Sequence, residues 1–148
     1  MQTHTSFLDD STPLSRTYWI LRITYGLVPF LAGLDKFCNL LTNWEKYLPA
    51  SVAHMLPVTP GVFMGVVGVI EMVAGLAVLT VLPRIGPLVV MIWLVLVGLS
   101  AGLAGYFDIT VRDLVMAVGA YTLAQLAARQ EGSADEPLNA RQTARQHA

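Results

Sequence analysis

The stretch from residue 61 to residue 105, GVFMGVVGVIEMVAGLAVLTVL-PR-IGPLVVMIWLVLVGLSAGLAG, decides the fold. Between Gly61 and Leu82 the only charged residue is Glu71, and between Ile85 and Gly105 there is none. A helix rises about 1.5 Å per residue, so each run is long enough to cross the ~30 Å of hydrocarbon in a bilayer. Only Pro83 and Arg84 separate the two runs, and so short a join forces antiparallel neighbours.

Two further apolar runs flank this pair. One covers residues 17–41 and carries Arg22, Asp35 and Lys36; the other covers residues 109–128 and is charged only at its start. The chain as a whole is 55% hydrophobic and 13% charged, about half the charge of a soluble domain. The sequence therefore predicts an all-α, polytopic integral membrane four-helix bundle, with spans at about 17–41, 61–82, 85–105 and 109–128. A polar N-terminal tail (1–16), an interfacial outer loop (42–60) with a short helix near 43–48, and a disordered C-terminal tail (129–148) complete it. The opening residues lack the basic start of a secretory signal, so the first run reads as a retained span.

With both termini cytoplasmic, Arg16, Arg22, Arg84, Arg129, Arg141 and Arg145 lie inside and Lys36, Lys46 and Arg112 outside. The positive-inside rule favours that orientation, in a bacterial cytoplasmic membrane. Gly61, Gly65, Gly68 and Gly75, the Gly98/Gly102 GxxxG pair, and Ala117, Ala120 and Ala124 supply the small surfaces on which membrane helices pack. The same GxxxG face could serve a homo-oligomer.

Glu71 carries the functional reading. Gly68, Glu71 and Gly75 share one helix face, the close-packed one, so the carboxylate points into the bundle. A mid-span ionisable group is a functional hypothesis that needs a partner. Asp35 and Lys36 late in the first span, and Asp108, Arg112 and Asp113 early in the fourth, approach the same outer end. Four carboxylates against two cations leave a charge of −2, which calls for a proton, a cation or a polar ligand. The ordinary alternatives are a capping box formed by Thr110 and Asp113, an i,i+4 pair of Asp108 with Arg112, and interfacial snorkelling of Lys36. Pro29 is expected to kink the first span, Cys38 to be structural, and His54 stands alone without a second ligand.

Several chemistries have no sequence basis. A net charge of −1 offers no basic surface for nucleic acid, and the lone Cys38 excludes a CxxC pair. There is no phosphate loop, no HExxH, no nucleophile elbow and no intramembrane histidine pair for haem, hence no intrinsic catalytic motif, metal site or redox cofactor.

The motif AGLDKF at 32–37, an aromatic outer loop, and GVIEMVAGL at 68–76 with its central Glu71 together resemble the DoxX-like family of small membrane proteins. The resemblance spans about Arg22 to Leu126 and rests on Gly33 and Lys36, on Gly68, Glu71 and Gly75, and on Arg84. It implies a four-helix membrane domain near respiratory or sulfur-redox complexes, with a bound quinone and a larger membrane redox complex as expected ligand and partner. A small oligomeric transporter and a purely structural subunit remain as alternatives from other classes.

Overall fold

The computed structural model describes residues 13–134, and side chains over 14–130. All regular structure there is helical. α1 runs Pro13–Cys38, α2 Ala50–Ala53, α3 Pro60–Leu79, α4 Ile85–Leu103 and α5 Phe107–Ala134, with a 3-10 helix at Trp44–Tyr47 between α1 and α2. α1 packs chiefly on α3, and α4 on α5.

Glycines set the register of both pairs. A methyl group on Gly33 would overlap the Gly68 carbonyl, and one on Gly75 would overlap the Gly26 carbonyl. Gly26 and Gly33 thus face Gly75 and Gly68, seven residues apart on each helix, so α1 and α3 run antiparallel with their backbones in contact. Gly98 packs closely, without such overlap, on Asp113 and the Thr110 carbonyl, and Gly102 meets the Thr110 hydroxyl. The core between the pairs is Tyr18, Ala74, Val78, Val90, Ala120, Leu123 and Ala127.

Helix ends depart from the sequence expectation in physically readable ways. α1 stops at Cys38 because Asn39 takes a left-handed φ of 51° and turns the chain. Thr59 caps α3, accepting from the Val62 amide, with Pro60 in the first turn where a missing N–H costs nothing. Gly105, at φ 88°, closes the α4–α5 turn, so α5 starts at Phe107 rather than Ile109. At its far end α5 continues to Ala134, so residues 129–134, expected in a disordered tail, are helical. The rest of that tail and the first twelve residues lie outside the described residues.

α3 and α4 are long and apolar enough to cross a membrane, with mean hydropathies of 2.4 and 2.2. Among the described residues, α1 and α5 do not pass the same test. Arg16, Arg22, Asp35 and Lys36 on α1, and Asp108, Arg112, Asp113 and Arg129 on α5, dilute their apolar runs.

Candidate functional site

Lys36 and Glu71 form an ion pair, Nζ to Oε2 at 2.5 Å, with their side chains 5% and 9% exposed. The glycine register explains how they meet. Lys36 stands level with Gly65, about 9 Å along the axis from Glu71. Side chains lean toward the N-terminus of their own helix, so in an antiparallel pair these two lean toward each other and close the gap. The other carboxylate oxygen of Glu71 accepts from Trp93 Nε1 of α4 at 3.3 Å. One ion pair thus joins α1 and α3, and one indole ties it to α4.

The chain after α1 roofs this pair. Asp35 accepts from the amides of Leu40 (3.0 Å) and Leu41 (3.1 Å), and from Trp44 Nε1 at 2.7 Å. That carboxylate closes the end of α1 and fixes the indole, whose ring centroid lies 3.9 Å from Lys36 Nζ, a cation–π contact. The aromatic layer continues from Trp44 to Tyr47 (6.1 Å) and on to Tyr106 (4.8 Å), both edge-to-face. A hydrogen bond with Thr42, together with the adjacent Lys46, holds the Tyr47 phenol below its ordinary range. Asp35 therefore positions Trp44 rather than a cation.

The expected fourth-helix cluster resolves differently. Asp113 is 2% exposed and accepts from Arg112 Nε at 2.9 Å, while the Arg112 side chain is 57% exposed. Asp108 is exposed, and among the described residues no ion pair joins it to Arg112. The Thr110–Asp113 capping box does not form. Thr110 lies inside α5, and its hydroxyl donates to the Gly98 carbonyl at 2.9 Å, sealing the contact with α4. The charge of −2 also loses its force. Glu71 and Asp113 each hold a cation, Asp35 is satisfied by three donors, and Asp108 faces outward.

One polar cluster was not anticipated. Arg22 counted only as a cytoplasmic charge in the sequence. Its Nε donates to Val78 O (3.0 Å) and its Nη2 to Leu79 O (3.1 Å) and Thr80 O (3.3 Å), at the C-terminus of α3. Nη1 donates to the Tyr18 hydroxyl at 2.9 Å, and Trp19 stacks on the guanidinium. A cation on the last carbonyls of a helix satisfies orphan acceptors and complements the dipole. The facing glycines that set the register place Arg22 opposite Leu79.

A groove of about 510 Å³ opens beside Lys36, lined by Trp44, Glu45, Gly61, Gly65 and Val66 among others. Lys36 has three N–H donors, one spent on Glu71, which leaves capacity for an oxygen in that groove. The fit to a carbonyl-bearing ligand such as a quinone rests on that buried ammonium beside open volume. No cluster of three or more His, Cys, Asp or Glu among the described residues could hold a metal ion. His54 is exposed at the end of α2, and Cys38 is exposed at the end of α1. Compared with protein-family models, curated proteins and solved structures, the chain matches none.

Proposed function

We propose that this chain is a four-span membrane protein, with both termini cytoplasmic, that serves as a DoxX-like accessory subunit of a quinone-linked redox system in a bacterial cytoplasmic membrane. Exposed apolar side chains support the membrane reading. α1 presents Ile20, Ile23, Leu27 and Leu31, α3 Val62, Val66, Val69 and Val73, α4 Ile92, Leu96 and Leu99, and α5 Val111, Val115 and Val118. Only 33% of the apolar window of α3 and 28% of that of α4 is buried, whereas the core helix of a soluble protein is mostly covered.

The observation that carries the redox reading is the Lys36–Glu71 pair beside the groove. In apolar surroundings such a pair is expensive to keep, and ionisable residues of this kind mark ligand or proton sites. Lys36 holds and polarises an oxygen acceptor. Glu71 carries or releases a proton at Oε1 or Oε2, and its bond from Trp93 fixes the carboxylate orientation. Trp44, held by Asp35, excludes water from the pair. A quinone, when bound, would supply the electron chemistry that the chain itself lacks.

A structural role is favoured by a different observation. Among the described residues, every buried side-chain nitrogen and oxygen has a hydrogen-bond partner. A fully satisfied polar centre can specify helix packing without binding anything.

Gentle native purification with mass spectrometry of bound lipids and proteins separates these readings. The redox reading expects a quinone or an oxidoreductase subunit with the natural chain, lost on Glu71→Gln while the variant stays folded. A homo-oligomer carrying phospholipid alone refutes it, and a Glu71→Gln chain that fails to fold favours the structural role.

A further inference from the structure

The groove is walled by the end of α1, the turn that carries Trp44 and Glu45, and the first half of α3. Gly61, Gly65 and Val69 form one row along α3, and Val62 and Val66 form the next, so the groove extends about 12 Å from the start of the helix. Phe37 of α1 makes the opposite wall, and Lys36 and Trp44 stand at the head. Trp44 lies over Lys36, and Tyr47 and Tyr106 continue the aromatic contacts from it. Phe37 and Val66 on its lining are themselves exposed apolar side chains, as are Val62 and Val69.

Gly65 keeps this space clear. An added Cβ there would meet only the Phe37 ring, at 3.6 Å, an ordinary contact. Gly68, one turn deeper, lies against the backbone of Gly33. Glu45 adds a second chemical constraint. Its exposed carboxylate reaches the rim at Gly61, and the Lys36 charge is already matched by Glu71. The head of the groove therefore offers hydrogen-bond donors with a negative rim, which suits a neutral oxygen acceptor and disfavours an anion.

We propose that the groove holds the tail of a membrane-dissolved amphiphile whose neutral carbonyl head meets Lys36, and that this ligand arrives laterally from the bilayer rather than through the roofed end. The proposal rests on the membrane reading above and assigns Phe37, Glu45, Gly65 and Val66 as determinants of tail and head selection. A volume of about 510 Å³ lies within the range of small-molecule clefts, about 300–1,000 Å³.

The test is saturable quenching of tryptophan fluorescence in phosphatidylcholine nanodiscs, with Trp19→Phe so that only Trp44 and Trp93 report. The probes are a decyl-tailed benzoquinone and the same quinone without a tail. Gly65→Leu fills the groove beside Lys36 and Phe37, and Val66→Phe narrows it as an independent variant that adds no tryptophan. Displacing two methylenes of the tail weakens binding about tenfold. The expected result is a loss of at least that size for the decyl probe in both variants, an unchanged tailless probe, and no competition by decyl phosphate. Decyl-probe affinity unchanged in both variants overturns the lateral groove alone. Competition by decyl phosphate at equal concentration overturns the neutral-head assignment. Binding of neither quinone to the unsubstituted groove overturns this proposal and the redox reading together.

Discussion

Removing one member of the Lys36–Glu71 pair is the sharpest perturbation available. Both side chains are under a tenth exposed, and they lie 2.5 Å apart. Breaking a buried pair from one side costs about 3–5 kcal/mol, most of it the penalty of the charge left behind. Glu71→Gln retains a carbonyl that can accept from Lys36 and Trp93, so its cost should fall at the lower end, about 3 kcal/mol. Lys36→Met strands a carboxylate whose remaining partner is Trp93, and a similar figure applies. At about 1.4 kcal/mol per decade, either change shifts the folding equilibrium more than a hundredfold. The double variant, with neither charge, should lose much less than the two costs together, giving a coupling of about 2 kcal/mol or more. Unfolding titrations of the four proteins in mixed micelles, followed by tryptophan fluorescence, measure this directly. Costs that simply add, within about 0.5 kcal/mol, would refute the argument that the two groups neutralise each other inside the bundle.

Gly68→Ala places a methyl against the Gly33 carbonyl and should cost about 1–3 kcal/mol, whereas Gly65→Ala, which meets the Phe37 ring only at ordinary contact distance, should be neutral or stabilising by up to about 1 kcal/mol; thermal unfolding of the two variants checks the contrast. Arg22→Met removes the bonds to Val78, Leu79 and Thr80 and should cost about 2 kcal/mol, with Arg22→Lys recovering only part because an ammonium lacks the fork. Faster amide exchange confined to the last turn of α3 would identify the cause. Under the proposed orientation Cys38, exposed at the C-terminal end of α1, should react with a membrane-impermeant maleimide in intact cells. Labelling only after permeabilisation would invert the proposed orientation.

The sequence carried the helical class and the face of α3 that packs closest. Gly68, Glu71 and Gly75 share a face by spacing alone, and the structure buries all three. The partnership of Lys36 with Glu71 was also legible, as two charges at neighbouring depths. What escaped was set by three-dimensional ends. A single left-handed residue, Asn39, shortens α1 and lets Asp35 gather two amides and an indole, so its carboxylate fixes a loop instead of a cation. Thr110 matched a capping pattern, but the turn at Gly105 starts α5 earlier and turns that hydroxyl toward Gly98. Arg22 looked like a topological charge because the carbonyls it binds are 56 to 58 residues away in sequence.

The placement of the polar groups follows from how the bundle is divided. Within α1–α3 and within α4–α5, glycines bring backbones together and leave little room for large side chains. Between the pairs the contacts are sparser, and there polar and aromatic residues do the joining. Trp93 reaches from α4 to Glu71, the Tyr25 hydroxyl donates to the Met116 carbonyl at 2.7 Å over Gly119, and Tyr47 stacks on Tyr106. On the proposed membrane reading, apolar surface gives helices no preference for each other over lipid, so a seam between two tight pairs needs hydrogen bonds to be specific. Glu71 stands at that seam, paired with Lys36 of α1 and bonded by Trp93 of α4. The proposed binding site and the joint between the helix pairs are thus built from the same residues. For this reason the double variant, which separates charge from packing, tells more about the protein than either single change.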